Sequence, residues 1–165
     1  MRLPQGFRLH AARVVDAGPV RDVMLRCWTG TVATNSSAYR ETVEDIAGQI
    51  ARGGAVLLFS GDVAVGGGRF HPVPGPAGDR RSWAEIKRVG VAKELRKLGL
   101  GAPLVAALED AAREAGAAGV QLGVREDQPR LVTFWESLGY RVADDVQLHT
   151  VNLLTPPPVT MRKWW

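Results

Sequence analysis

The residues whose types and spacing offer chemistry fall between positions 83 and 101. Arg96-Lys97-Leu98-Gly99-Leu100-Gly101 feeds directly into Leu100, Leu104, Val105, Leu108, Ala112 and Ala115, an apolar stripe at helical spacing with Glu109, Asp110, Arg113 and Glu114 outside it. A glycine-bearing loop entering a helix N-terminus binds phosphate: glycines allow close backbone approach, first-turn N–H groups are unpaired, and the helix dipole favours negative charge. Lys93, Arg96 and Lys97 add positive charge. A dinucleotide fingerprint needs a third glycine where Leu104 stands, and a P-loop needs a Gly-Lys-Ser/Thr ending that is absent, so neither motif applies. In the strand before the loop, Glu85 is the only carboxylate between Trp83 and Val91.

These residues need a scaffold, and hydrophobic periodicity predicts one. Phe7, Leu9 and Ala11 alternate as a first strand; Asp16 is expected to cap a helix carrying Pro19, Val20, Val23, Met24, Cys27 and Trp28. Residues 29–39 form a polar loop, and Val43, Ile46, Ala47 and Ile50 mark a second helix ending before Gly53-Gly54. Ala55–Phe59 and Val63–Phe70 form a hairpin about Ser60-Gly61-Asp62, followed by an exposed connector from His71 to Ser82. In the strand Trp83–Val91 the apolar phase slips, with Ala84 and Ile86 on one face and Val89 and Val91 on the other, which predicts a bulge at Lys87 to Val89. The long helix stops at Gly116, Val120, Leu122 and Val124 form a strand, and Asp127 is expected to cap a helix with Leu131, Val132, Phe134, Trp135 and Leu138. Two last strands, Arg141–Val151 and Val159–Trp165, flank a Pro156-Pro157-Pro158 edge connection. The expected fold is α/β: one domain over residues 1–165 with a mixed, mostly antiparallel sheet of about seven strands, one parallel pair and about four helices.

Ala84-Glu85-Ile86-Lys87-Arg88-Val89-Gly90-Val91 through Leu108, with Phe134-Trp135-Glu136-Ser137-Leu138-Gly139-Tyr140, resembles the GNAT superfamily of acyl-CoA-dependent N-acetyltransferases. With the order of elements, the resemblance covers nearly the whole chain. It implies acetyl-CoA as cosubstrate, with the backbone of Val89 and Val91 bonding the pantetheine arm and Arg96, Lys97, Leu98, Gly99, Leu100, Gly101 and Ala102 wrapping the pyrophosphate. It also implies that the strands from Trp83 and Val120 splay to admit the thioester.

An amine of pKa about 10.4 must lose a proton before it attacks, and Glu85 is the candidate base, its alternative being an ion pair with Lys87 or Arg88. Where many family members carry a tyrosine that protonates the leaving thiolate, this chain has Trp135, whose indole N–H donates a hydrogen bond to sulfur without giving up a proton. Tyr140 is either core packing or a substitute acid. Trp28, Asn35, Tyr39, Arg69, His71 and Trp83 lie on segments that wall the acceptor site in the family; the residues by themselves suggest core for Trp28, a sheet-edge ion pair ahead of a clamp on an acceptor carboxylate for Arg69, and solvent for His71. The competing function is a non-catalytic acyl-CoA sensor.

Composition narrows the classes further. At 165 residues, 45% hydrophobic and 23% charged, the chain suits a folded domain. One cysteine, Cys27, forms no intrachain disulfide, and with three histidines it leaves too few ligands for a Cys/His zinc site, so no metal is expected and the cytoplasm fits. No apolar stretch spans a bilayer and no signal peptide opens the chain. The formal charge of +4 comes from scattered arginines without interleaved aromatics, which argues against nucleic acid. The expected partner is an amine on a small molecule or peptide; Trp164 and Trp165 cover an edge strand or seal a homodimer.

Overall fold

The computed structural model describes residues 2–165. Seven strands form a single sheet in the order β1-β2-β3-β4-β5-β7-β6, comprising β1 (Phe7–Ala12), β2 (Gly54–Ser60), β3 (Val63–Pro74), β4 (Ser82–Val91), β5 (Gly119–Val124), β6 (Arg141–Val142) and β7 (Val159–Trp164). Among the described residues four α-helices flank it, α1 (Ala17–Trp28), α2 (Val43–Arg52), α3 (Gly101–Glu114) and α4 (Pro129–Ser137). Every neighbouring pair is antiparallel except β4 and β5, the expected parallel pair around the α3 crossover. No helix among the described residues is long and apolar enough to cross a membrane.

The sheet separates two cores. On one face α3 and α4 lay Leu104, Leu108, Ala112 and Trp135 against Phe70, Ile86, Val120 and Leu122. On the other, Val20, Val23 and Cys27 of α1 and Ile46 and Ile50 of α2 cover Ala55 and Leu57. That second face turns polar towards β4, where Arg69, His71, Lys87, Glu85 and Gln121 occupy alternating positions of β3, β4 and β5.

Four sequence expectations need correction. The connector begins later than His71: β3 runs on to Pro74 and β4 starts at Ser82, so His71 is a strand residue paired with Glu85. The strand expected over 141–151 is only Arg141–Val142, because the chain beyond it bends inward to bond Glu85 and Gln121 and leaves β7. Asp127 does not cap α4; it turns to Arg125, at 3.1 Å from its Nε, while Gln128 precedes a helix opened by Pro129. Asp16 precedes α1, yet its carboxylate accepts from the Arg13 N–H at 2.7 Å and caps the short turn before the helix.

The expected bulge is present. Gly67 pairs with Gly90 and Arg69 with Lys87, so β4 carries one residue more than β3 across that interval, and Arg88 takes a φ of 57°. The extra residue places Lys87 and Arg88 on the same polar face and returns Val89 and Val91 to the α3 side.

Candidate active site at the strand fork

The β4–β5 ladder has two rungs, Ala84↔Val120 and Glu85↔Gln121. Past them the bulge twists β4 away from β5, opening a fork whose mouth is edged by Lys87, Arg88 and Val89. At its outer end lies the glycine loop. Lys97 (φ 78°) and Gly99 (φ 71°) both adopt the left-handed region, which bends 96–100 into a concave run of backbone leading to α3. The first bond of that turn runs from the Leu104 N–H to the Leu100 carbonyl at 3.3 Å, so Gly101 and Ala102 have no helical partner for their N–H groups, and Pro103 has none to satisfy.

Side chains around the loop divide into anchors and rim. Leu100 is buried with Leu58, Val65 and Ala92 and fixes the loop to the sheet. Gly101 is needed for close packing, since a Cβ there would stand 3.1 Å from the Phe134 ring. Arg96 bends back: its Nε donates to the Val91 carbonyl and its Nη2 to the Cys27 carbonyl, both at 3.0 Å. It thereby ties the loop to β4 and to the end of α1. Lys93, Lys97 and Leu98 are exposed.

On the opposite side of the fork, α2 and the segment after β6 border an open cavity of about 480 Å³, within the usual range for small-molecule sites. Glu41, Glu44, Asp45, Gly48, Gln49 and Arg52, spaced by three and four, form one wall; Lys87, Arg88, His149 and Thr150 form the other. Glu41 is the hub. One carboxylate oxygen receives Arg69 Nη2 and the other Arg88 Nε, both at 2.6 Å, and Lys87 Nζ stands at 4.0 Å. Burial pushes the Glu41 carboxyl up, but Arg88 and Arg69 outweigh it and hold the group below the usual carboxylate range. Lys87 is pushed down to about 8, first by burial and then by Arg88 and Arg69, against the opposing pull of Glu41 and Glu85.

Glu85 sits at the last rung before the fork and is 2% exposed. It pairs with neither Lys87 nor Arg88, contrary to the ion-pair alternative. Its Oε2 accepts from Gln121 Nε2 at 2.8 Å and from the His149 N–H at 2.9 Å, and its Oε1 from the Thr150 N–H at 3.0 Å. His71 Nε2 lies 3.9 Å from Oε1, and burial lowers the His71 pKa against the pull of Glu85. The carboxylate therefore lies behind the cavity wall made by His149 and Thr150.

A family model described as the acetyltransferase (GNAT) family matches residues 19–140, most of the chain. The chain belongs to the acetyltransferase (GNAT) family. A curated Bacillus subtilis protein named uncharacterized N-acetyltransferase YjcF is 31% identical over 90 residues, a match covering 54% of this chain and 57% of that protein. Among solved structures, an Arabidopsis thaliana protein in complex with the bisubstrate analogue CoA-Ac-MVNAL has a TM-score of 0.72 at 18% identity, covering 97% of this chain and 99% of its own. The protein yncA of Salmonella typhimurium, solved with acetyl-CoA, gives 0.71 at 18% identity with 97% and 94% covered. The Thermoplasma acidophilum PaiA N-acetyltransferase, solved with coenzyme A, gives 0.72 at 15% identity with 96% and 99% covered. At these identities the structural likenesses establish the GNAT fold.

Several residues singled out by the GNAT resemblance lie elsewhere. Trp135 is a core residue, its ring 5.0 Å from that of Tyr140 in an edge contact. Tyr140 is buried, and its hydroxyl donates to Glu109 at 2.9 Å; burial and the Glu109 charge push its pKa up, which unsuits it as an acid. Trp83 is buried beneath Trp164, and its indole donates to Asp79. Arg69 is 1% exposed on a central strand and so forms no edge pair. His71, expected in solvent, is part-buried beside Glu85. The Tyr39 hydroxyl lies 2.6 Å from the Val32 carbonyl and 2.9 Å from that of Trp28 and folds the α1–α2 link, while Asn35 Nδ2 donates to the Leu154 carbonyl at 3.3 Å. Trp165 docks on the Ala117 carbonyl under Arg113.

The site residues missing from the sequence reading are Glu41, Gln49, His149 and Thr150. A periodic signal existed for α2, where the polar face opposite Ile46 and Ile50 repeats at three and four; none marked Glu41 as the partner of two arginines 28 and 47 positions away.

Proposed function

We propose that this protein transfers the acetyl group of acetyl-CoA to a primary amine of a small molecule or peptide, directly and within a ternary complex. One observation carries the reading: a left-handed glycine loop leads into a helix N-terminus beyond β4, the β4–β5 ladder ends after two rungs, and a separate polar cavity reaches Lys87 and Arg88 of β4, an arrangement that supports different binding places for donor and acceptor. The yncA and PaiA structures, solved with acetyl-CoA and coenzyme A, support the donor. The peptide bisubstrate analogue bound by the Arabidopsis protein supports an amine acceptor.

In this reading the amides of Gly99 to Ala102 hold the pyrophosphate, and Val89 and Val91 align the pantetheine along β4. The amine attacks the thioester carbonyl, backbone N–H groups near Val91 stabilise the oxyanion, and its collapse breaks the C–S bond and expels the coenzyme A thiolate, which takes its proton from solvent water. Glu85 receives the amine proton through a bridging water, since His149 and Thr150 stand between it and the cavity. The buried Trp135 gives a sensor function no support, because a core indole takes no part in either reading. Thiol release from acetyl-CoA against a broad amine panel, with mass spectrometry of the product, tests the proposal; release that no amine accelerates overturns it.

A further inference from the structure

We propose that the acceptor carries a single carboxylate beside its amine, a small amino acid or close relative, and that Lys87 and Arg88 receive that carboxylate on the cavity floor. The inference rests on the transferase reading above and deepens it by naming the substrate class.

Buried charges at this place do not balance. Arg69, Lys87 and Arg88 form one cluster with side chains 1%, 11% and 14% exposed. Against these three buried cations stand two buried carboxylates, Glu41 at 10% and Glu85 at 2%, while Glu44, Asp45 and Arg52 lie exposed on the facing wall. One positive charge is left over. Glu85 is moreover occupied by Gln121 and two loop amides, and the Glu41 oxygens by the two arginines, so Lys87 has only a 4.0 Å approach to Glu41 and a 3.2 Å bond to Thr150 Oγ1. An excess cation in a partly desolvated site is costly unless an anion answers it. A monoanion balances the cluster; a dianionic phosphate would leave it negative.

Placement agrees with size and chemistry. Both cations line the 480 Å³ cavity, and both sit on the bulge at the mouth of the fork, where an amine separated from a carboxylate by one or two carbons falls beside the proposed thioester position. The opposite wall supplies Glu44 and Gln49, and Gly48 leaves room: a Cβ there would meet only Arg52 Nη1, at 3.4 Å. Peptides with a free N-terminus place an amide, not a carboxylate, at that distance from the amine, so the cluster selects against them.

The experiment compares each standard L-amino acid with its carboxamide and its decarboxylated amine, in both binding and acetyl transfer. Binding is measured by calorimetry with coenzyme A present, at pH 8 in two buffers of different ionisation enthalpy. The amino acid should exceed both analogues by about tenfold to a hundredfold, the range for a charge-assisted hydrogen bond. Binding should also draw up to about half a proton from the buffer as the carboxylate raises the affinity of Lys87 for its proton. The titratable groups facing Lys87 are Glu41, Glu44, Asp45 and Arg52 from the α2 side, Arg69 and His71 from β3, Glu85 and Arg88 from β4, and His149 from the loop. Lys87→Met removes the preference and the uptake together, and Gly48→Leu, which fills the cavity without touching the cluster, weakens all three ligands alike. Equal or better use of carboxamide or plain amine overturns the proposal, as does failure of every amino acid to bind. Carboxylate-selective binding without acetyl transfer upholds it and overturns the transferase reading instead.

Discussion

Gln121 Nε2 donates to Glu85 Oε2 at 2.8 Å across the last rung of the β4–β5 ladder, so one hydrogen bond marks the point where the sheet stops being continuous and the fork begins. Glu85→Gln should lower kcat/KM by about a hundredfold, the scale of general-base loss, and remove the acidic limb of its pH profile. The amide also turns an N–H₂ towards donors on one side or the other, loosening the His149–Thr150 segment. Gln121→Ala separates the effects: it loosens the same segment yet should retain the acidic limb. A limb retained in Glu85→Gln removes the residue from proton transfer.

Gly99 has φ 71° and open space where a Cβ would stand. Gly99→Ala should therefore cost only the strain of a left-handed alanine, about 1 kcal/mol in thermal or urea unfolding, with modest loss of coenzyme A affinity. Gly99→Asp should abolish coenzyme A binding in calorimetry, through charge set against phosphate. Equal affinities for the two variants would discount the loop as a pyrophosphate site.

Arg96 spends its guanidinium on the Val91 and Cys27 carbonyls. Arg96→Ala should release the loop from β4 and weaken coenzyme A and a phosphate-free pantetheine fragment by similar factors. A loss confined to the phosphate-bearing ligand would instead assign Arg96 to the phosphate directly.

Glu41→Gln leaves Arg69 and Arg88 buried without a counter-charge, and removal of one partner from such a pair costs about 3–5 kcal/mol. The folded-state pKa of Glu41 is lowered, so its contribution is present above the ordinary carboxylate pKa and is lost as pH falls through the folded value. Urea unfolding of the wild type should weaken on acidification more steeply than that of Glu41→Gln; parallel pH dependences would exclude Glu41 as the hub.

Burial pushes the Lys87 ammonium down to about 8 in the folded chain, against 10.5 for an ordinary lysine. Between those values the unfolded chain holds more protons, so this group makes stability rise with pH from about 8 to about 10.5. Lys87→Met should remove that rise and be more stable than the wild type at pH 7. The difference between the two unfolding curves, pH by pH, measures it; a flat difference would mean that Lys87 is solvated.

Local signals in the chain determined more of this protein than its length suggests. The phase slip from Ala84 and Ile86 to Val89 and Val91 announced the bulge, and Gly-x-Gly before the Leu104–Ala115 stripe announced the loop and its helix, because backbone geometry answers to near neighbours. Glu85 was visible as the lone carboxylate of its strand. Its partners were not: Gln121, His149 and Thr150 lie 36, 64 and 65 residues away, and only the folded sheet brings their donors to one carboxylate. The same holds for Glu41 with Arg69 and Arg88, since nothing local tells a charge whether it will be solvated or enclosed with two others. Trp135 shows the limit from the other side. Its position in a motif suggested a role at the sulfur, but the α4 face that it occupies packs on Tyr140 and the α3 core, and burial there was decided by the tertiary structure.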